Sequence, residues 1–262
     1  MYPERIVCLT EETTEALYLM GEQERVVGVS GYTVRPPQAR KEKPKVSAFT
    51  SAKIDKILAL EPDLVLGFSD MQADIAAELI RSGIQVHVFN QRSLDEIFRM
   101  IYCLGALIGC NNKAEILVEQ LKANLEFIDS QAQAFQVRPK VYFEEWYDPL
   151  ICGIRWVSEL IGIAGGIDCY AEQAKQSLGK DRIIADAGEV IGKAPDIIIG
   201  SWCGRKFNPE RVRERSGWEQ IPAVKTQQLF EIKSADILQP GPAALTDGVK
   251  QLHHIIEQWQ RS

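Results

Sequence analysis

The first 90 residues alternate short apolar runs with amphipathic stretches. The pattern predicts β-strands at 5–9, 25–29, 63–66 and 85–89, and helices at 10–20, 54–60 and 71–82. Gly21 and Gly83 follow two of these helices at the position where glycine commonly ends a helix. Strands and helices that alternate at these lengths predict βαβ units and a largely parallel sheet.

The middle of the chain contains only helical pattern. A helix is predicted at 93–108, and a second at 112–136 with Asn112 and Glu115 at capping-box spacing. An apolar stripe runs along the second helix at three- and four-residue steps, formed by Ala114, Leu117, Leu121, Leu125, Ile128 and Ala132. A helix of roughly 24 residues spans about 36 Å, which suits a connection that runs along two lobes.

The second half returns to strands, predicted at 140–143, 196–199 and 229–232, with helices at 155–163, 209–215, 218–221 and 242–260. One block occurs twice, as KIDKILALEPDLVLG at Lys53–Gly67 and as DAGEVIGKAPDIIIG at Asp186–Gly200. The copies are too far apart for a solenoid repeat. They predict two similar lobes, with a cleft between them in which a small molecule binds.

The predicted fold is therefore α/β, with two Rossmann-like lobes of largely parallel sheet joined by a single long α-helix. The expected boundaries are an N-terminal lobe at 1–111, a linking helix at 112–136 and a C-terminal lobe at 137–262. A chain of 262 residues is long enough for two domains of medium size.

Composition and charge exclude two classes of partner. The formal net charge of −6 argues against a nucleic-acid binder, which usually carries a basic patch. The most basic run, 35–45, is interrupted by prolines and a glutamate, so it is interpreted as a solvated loop. No apolar run reaches the roughly 18–20 residues of a membrane span.

The start of the chain and its cysteines bear on location. The opening MYPERIVCL enters a predicted strand at once and lacks the pattern of a secretory leader. This predicts a cytoplasmic protein as the chain stands, or a periplasmic one if a leader has been removed. The six cysteines are scattered without a C-x-x-C motif, which favours free thiols in a reducing compartment.

Candidate binding residues follow the predicted strands, because ligands of parallel α/β sheets lie at the carboxyl ends of the strands. They are Thr10, Tyr32 and Phe68 in the first lobe and Glu144–Asp148, Trp202 and Asp236 in the second. Aromatic faces mixed with polar groups suit a large, partly apolar ligand. The alternative is that Trp146 and Trp202 cap the sheet ends as part of the core.

Signals for catalysis are weak. No G-x-S-x-G, Walker loop or dinucleotide fingerprint is present, and the three histidines form no metal-ligand spacing with the cysteines. Glu144, Glu145 and Asp148 could perform acid–base chemistry, or they could be solvated loop charges. We expect a protein that is not an enzyme and that has no metal site and no built-in cofactor.

Four stretches, in chain order, resemble the class III substrate-binding proteins, the solute receptors of ABC importers for cobalamin, haem and iron–siderophores. They are RIVCLTEETTEALYLMG, KIDKILALEPDLVLG, GIRWVSELIGIAGG, and GWEQIPAVKTQQLFEI with the QPGPA that follows it. The segments Ser30–Tyr32, Val46–Phe49 and Trp156–Gly166 are most similar to the cobalamin-binding members. The resemblance covers nearly the whole chain and implies two α/β lobes, one long helix and little hinge motion.

The resemblance also implies ligand contacts for individual residues. Tyr32 matches a ligand-facing tyrosine of the first lobe, and Phe49 falls where cobalamin binders place a tryptophan. Trp146, Trp156 and Trp202 lie in second-lobe segments that supply aromatic contacts.

A second implication is a pair of acidic residues, one per lobe, that dock on arginines of a membrane permease. The first copy of the repeat has Asp55 at this position. The second copy has Gly188 there and places its carboxylate, Glu189, one residue later. The alternative is that both acids are ordinary first-turn residues favoured by the helix dipole.

Three functions follow as hypotheses. The main one is a monomeric binding protein that holds a cobalamin-like corrinoid between two lobes for an ABC permease. The second keeps the fold and changes the ligand to haem or a ferric siderophore, with Tyr32 or Tyr147 as an axial ligand of haem. The third is a cytosolic corrinoid-processing enzyme, or another enzyme, that uses Glu144, Glu145 or Asp148.

Overall fold

The computed structural model describes residues 2–262, which form two compact α/β units. The first unit contains the chain up to Leu121 together with Pro240–Ala243. The second contains Lys122–Gln239 and Ala244–Ser262. The predicted α/β class with two lobes and a long helix is confirmed, whereas the exact lobe boundaries at 111 and 137 stay a prediction.

The first unit is built on a five-stranded parallel sheet. Its strands are β1 (Ile6–Cys8), β2 (Val26–Ser30), β3 (Lys45–Ser47), β4 (Leu64–Phe68) and β5 (Val86–Phe89). Its helices are α1 (Glu11–Leu19), α2 (Pro37–Glu42), α3 (Ile54–Leu58), α4 (Ala73–Arg81) and α5 (Leu94–Leu107), followed by α6 (Asn111–Ala132), which continues into the second unit. The strand order is β3-β2-β1-β4-β5, and all neighbours are parallel. The fully buried β1 therefore lies at the centre.

The second unit repeats the plan with one antiparallel strand. Its strands are β6 (Lys140–Tyr147), β7 (Leu150–Cys152), β8 (Ile167–Asp168), β9 (Ile197–Gly200) and β10 (Leu229–Glu231). Its helices are α7 (Arg155–Ile163), α8 (Gly188–Lys193), α9 (Pro209–Arg213), α10 (Pro222–Lys225), α11 (Ser234–Ile237) and α12 (Val249–Gln260). The order is β10-β9-β6-β7, with β8 also paired to β6, and only β7 runs antiparallel among these described strands.

One predicted helix start is shifted by one residue. Helix α6 begins at Asn111, so Asn112 lies inside the first turn and not at the N-cap position expected for a capping box with Glu115. The capping box lies instead at α5, where Ser93 Oγ accepts from the Glu96 amide at 3.3 Å and Glu96 Oε2 accepts from the Ser93 amide at 3.1 Å. Thr10 holds the N-cap position of α1, but its hydroxyl donates to a side chain and accepts no backbone amide.

The two copies of the repeat share a left-handed residue between helix and strand. Glu61 and Ala194, the residues before Pro62 and Pro195, have left-handed φ angles of 46° and 48°. A proline cannot continue a helix, and the residue before it is disfavoured in helical geometry. After α3 and α8 the chain therefore turns at the equivalent residues Glu61 and Ala194 before it enters β4 and β9.

The aspartate after each proline accepts backbone hydrogen bonds from the residues at the start of the neighbouring strand. The Asp63 carboxylate accepts the amides of Glu4 and Arg5 at 2.7 and 3.0 Å, just before β1. The Asp196 carboxylate accepts the Lys140 amide at 2.8 Å, at the start of β6. Hydrogen bonds to an ionised carboxylate are among the stronger ones, so the Pro-Asp pair sets the register of each sheet.

We expect Asp63→Ala to lower the free energy of unfolding by about 1–2 kcal/mol, because two backbone amides lose an ionised acceptor. Urea titration of the whole protein measures the change. Asp55→Ala is the matched control, since it removes an exposed carboxylate from the same repeat copy. Equal effects of the two substitutions would contradict the role given to Asp63.

Candidate functional site

In the first unit the predicted ligand residues gather at one edge of the sheet. Thr10 follows β1, Tyr32 follows β2, Phe49 follows β3, and Phe68 is the last residue of β4. These four strands are parallel, so their carboxyl ends meet at the same edge. That edge is where ligands of parallel α/β sheets bind.

Phe49 and Phe68 form a small aromatic surface there. Their ring centroids lie 6.5 Å apart, and the Arg92 guanidinium lies 4.7 Å from the Phe68 ring centroid. The buried Gln72 holds both segments, because its amide nitrogen donates to the Phe49 carbonyl at 2.8 Å and its oxygen accepts the Phe68 amide at 2.9 Å. Sequence reasoning missed Gln72, whose only signal is its position just after β4.

Tyr32 presents its ring to solvent from a fixed loop. Its side chain is 58% exposed, while its amide donates to Ser30 Oγ at 3.1 Å. Arg40 donates to the carbonyls of Gly31 and Thr33, one on each side of Tyr32. The backbone around Tyr32 is fixed by hydrogen bonds while its ring is exposed, an arrangement that suits contact with a ligand.

Helix α1 buries three glutamates at this edge, which sequence reasoning did not predict. Thr10 Oγ1 donates to Glu12 Oε1 at 2.6 Å, and burial raises the pKa of Glu12 to about 7. Burial also raises the pKa of Glu11. Glu15 accepts from Arg35 Nε and from the Ala243 amide, each at 2.9 Å.

In the second unit Glu144 organises the strand ends. Its carboxylate is completely buried and receives two bonds from Arg215, at 2.6 and 2.9 Å. The Trp202 indole N–H donates to it at 3.0 Å, and the Tyr142 hydroxyl at 3.1 Å. One carboxylate therefore compensates a guanidinium charge and fixes an aromatic side chain.

An aromatic cluster lies beside this network, formed by Trp146, Tyr147, Trp202 and Phe207. Tyr147 is central, with ring centroids 5.0 Å from Trp146 and 4.5 Å from Trp202. Trp202 also meets Phe207 at 5.0 Å. Trp202 is buried, whereas Trp146 and Tyr147 are half-buried, so the cluster has a packed floor and an accessible rim.

The predicted loop at Glu144–Asp148 is wrong for most of its length, because β6 continues through Tyr147 and turns back into β7. The pairing of β6 with β7 shifts register between Glu144 and Trp146, so Glu145 lies at an irregularity of the strand. Glu144 pairs with Arg215, while Glu145 forms a two-pronged pair with the buried Arg182 at 2.6 and 3.0 Å. Neither glutamate is a solvated loop charge.

Two further predicted contacts lie in more enclosed positions. Trp156 is buried on α7, and its indole N–H donates to the Ile237 carbonyl at 2.9 Å. Asp236 lies on α11, and its Oδ2 accepts from Gln251 at 3.2 Å. Both side chains are engaged within the second unit.

The two predicted docking acids are exposed. Asp55 lies in the first turn of α3 and Glu189 in the first turn of α8. The Gly188 amide, at the position equivalent to Asp55, donates to the Asp186 carboxylate at 2.8 Å.

Metal-ligand clusters, disulfides and membrane-spanning helices are absent from residues 2–262. Within that range no group of three or more His, Cys, Asp and Glu side chains could hold a metal ion, and none of the six cysteines forms a disulfide. None of the helices in the same range is both long enough and apolar enough to cross a membrane.

We expect Gly200→Ala to destabilise the protein by roughly 2 kcal/mol through overpacking. A methyl group at Gly200 would lie 1.9 Å from the ring of the buried Phe207, which packs on Trp202. Thermal unfolding measures the loss. Gly192→Ala, in a helix with no neighbour within 4 Å, should be neutral or slightly stabilising. Similar stability for the two variants would contradict the close packing described for the cluster.

The periplasmic binding protein family matches residues 6–235, and the chain belongs to this family. It is 27% identical over 259 residues to an uncharacterised ABC transporter substrate-binding lipoprotein of Bacillus subtilis, covering 95% of this chain and 79% of that protein. It is 25% identical over 255 residues to the vitamin B12-binding protein of Vibrio cholerae, covering 95% and 87%. The predicted resemblance to substrate-binding proteins of ABC importers is confirmed.

Solved structures share the fold over nearly the whole chain. A possible iron-binding periplasmic solute-binding protein of Staphylococcus epidermidis superposes with a TM-score of 0.84 at 22% identity, covering 98% of this chain and 99% of that one. A periplasmic haem-binding protein of Roseiflexus superposes with a TM-score of 0.80 at 24% identity, covering 97% and 99%. With the family match over residues 6–235, the protein is a solute binder of the periplasmic-binding-protein type.

Proposed function

We propose that this protein is the solute receptor of an ABC importer and that its ligand is a cobalamin-like corrinoid. The observation that carries the proposal is the Trp146–Tyr147–Trp202 cluster at the strand ends of the second unit. Aromatic faces grouped in this way favour a broad conjugated ring as ligand. The similarity to a vitamin B12-binding protein over 95% of the chain supports a corrinoid in particular.

The first unit has its own aromatic and polar groups at the edge of its sheet. Tyr32 supplies an exposed aromatic face, and Phe49 a half-buried one. Thr10 and the carboxyl groups of Glu11 and Glu12 supply polar atoms at the same sheet edge. Amide side chains, such as those around a corrin ring, need donors and acceptors of this kind when they leave water.

A titration of the whole protein with cyanocobalamin tests the proposal. In a calorimeter we expect saturable heat with one ligand per chain, and we expect red colour to stay with the protein through gel filtration. Trp202→Ala should weaken the binding at least tenfold, while Trp259→Ala, far along the chain on α12, should leave it unchanged. The absence of both heat and retained colour would refute a corrinoid ligand.

One observation favours a second candidate, haem or a ferric siderophore. Arg205 Nη1 donates to the Tyr147 hydroxyl at 2.8 Å. A tyrosine oxygen that accepts from an arginine is suited to coordinate ferric iron, and tyrosine is a known axial ligand of haem. A Soret shift on adding haem, lost in Tyr147→Phe, would support this candidate over the corrinoid.

The importer would recognise the protein through Asp55 and Glu189, the exposed carboxylates of the two repeat copies. We expect the double charge reversal Asp55→Lys with Glu189→Lys to abolish corrinoid uptake by cells that carry the matching importer. Ligand affinity of the purified variant should stay the same. Glu115→Lys, on the exposed face of α6, is the control. Normal uptake with the double variant would refute the docking role.

We propose that the working protein lies outside the cytoplasmic membrane and acts as a monomer. The similarity to a substrate-binding lipoprotein supports this location. Catalysis is not part of the proposal, since Glu144 and Glu145 are each neutralised by an arginine. Unchanged corrinoid after long incubation with the protein is the expected result.

A further inference from the structure

Two arginines flank Tyr147 without a carboxylate partner. The guanidinium of Arg211 lies 4.9 Å from the Tyr147 ring centroid and that of Arg205 lies 5.8 Å from it. Arg205 also donates to the Tyr147 hydroxyl. Both side chains are exposed, and among the described residues no carboxylate lies within ion-pair distance of either.

The neighbouring arginines are different, because each has an acidic partner. Arg213 pairs with Glu210, Arg215 with Glu144, and Arg182 with Glu145. In the 203–215 segment the guanidinium charges of Arg213 and Arg215 are therefore compensated. Those of Arg205 and Arg211, at the Tyr147 ring, are not. Two like charges at one ring repel each other unless an anion lies between them.

We propose that Arg205 and Arg211 bind an acidic oxygen group of the ligand while its conjugated ring lies against Tyr147 and Trp146. This inference rests on the proposed function and adds the charge of the ligand to it. A guanidinium binds carboxylate and phosphate through two parallel hydrogen bonds. The Tyr147 ring holds both guanidinium planes by cation–π contact, which lowers the entropy lost when the anion binds.

Two of the candidate ligands carry an acidic oxygen group. Cobalamin carries a single phosphodiester in its nucleotide loop, and haem carries two propionate carboxylates. Each has an analogue without the acid, dicyanocobinamide for cobalamin and the dimethyl ester for haem. A neutral hydroxamate siderophore would leave both arginines unpaired.

The test compares the affinity of each acid with that of its neutral analogue, by calorimetry or tryptophan quenching. For the natural sequence we expect the acidic form of the true ligand to bind 10- to 100-fold more tightly than its analogue, which is the size of one or two charge-assisted hydrogen bonds. In the double variant Arg205→Gln with Arg211→Gln, this preference should fall to less than threefold. The pair of probes that shows the preference identifies phosphodiester or carboxylate as the source.

Arg213→Gln is the matched control, because it removes a guanidinium of the same segment that already has a partner, and the preference should remain. Thermal unfolding confirms that each variant is folded. An acid preference that persists in the double variant, or probes that bind without any preference, would overturn this inference and leave the receptor function intact. Failure of all four probes to bind the natural sequence would overturn the proposed function and this inference with it.

Discussion

Glu144→Ala is expected to lower the free energy of unfolding by about 3 kcal/mol, toward the smaller end of the range for a broken buried ion pair. The substitution leaves Arg215 without its carboxylate. We expect a value at the smaller end because the Arg215 side chain is 17% exposed, so solvent partly compensates its charge. It also leaves the buried Trp202 N–H and Tyr142 hydroxyl without their acceptor. Because Trp202 then loses its fixed orientation, ligand affinity should fall at least tenfold.

Urea unfolding and ligand titration of the same samples separate the two effects. Glu145→Ala is the matched control, since it breaks a different ion pair, that with Arg182, at the next residue of the same strand. We expect it to cost stability but to leave ligand affinity within about threefold. Equal losses of affinity in both variants would contradict a specific role of Glu144 in holding Trp202.

Glu12 is expected to make stability fall as the pH rises from about 4.5 to 7. Burial lifts its pKa from an ordinary value of 4.5 to about 7, so in this range the folded chain binds a proton that the unfolded chain has released. The contribution of Glu12 is most favourable below pH 4.5 and is lost as the pH passes 7. The full loss is about 3 kcal/mol at 1.36 kcal/mol per pH unit.

Glu12→Gln tests this directly. Glutamine keeps a hydrogen-bond partner for Thr10 and cannot ionise, so the variant should match the natural sequence at pH 4.5 and be more stable at pH 8. The other charges acting on the group are Glu11, which raises its pKa, and Arg92, which lowers it. Glu115→Gln, at an exposed position of α6, should leave the pH profile unchanged. Parallel pH profiles for Glu12→Gln and the natural sequence would contradict the prediction.

The sequence was sufficient for the fold because its strongest signals are local. The apolar runs locate most strands within about two residues, and the Pro-Asp pair at Pro62 and Pro195 marks the same helix exit and strand entry in both units. The short strands β3, β7 and β8 were missed. Each has only two or three residues, too few for an alternating pattern to be recognised.

The candidate site was predicted less well, because its contacts join distant parts of the chain. Glu144 and Arg215 are 71 positions apart and Glu145 and Arg182 are 37 apart, so no spacing rule could pair them. The burial of the α1 glutamates has no local sequence signal either. Charged residues are mostly exposed in proteins, whereas the fold buries Glu12 and Glu15 next to partners from elsewhere in the first unit.

The most direct experiment is to locate the ligand contact on the protein. The chain has five tryptophans, so labelling with 5-fluorotryptophan and assignment by substitution give one ¹⁹F signal for each. Saturating cyanocobalamin is predicted to shift the signals of Trp146 and Trp202 and to leave those of Trp218 and Trp259 in place. Unchanged signals for Trp146 and Trp202 at saturation would contradict the central claim that this aromatic cluster binds the ligand.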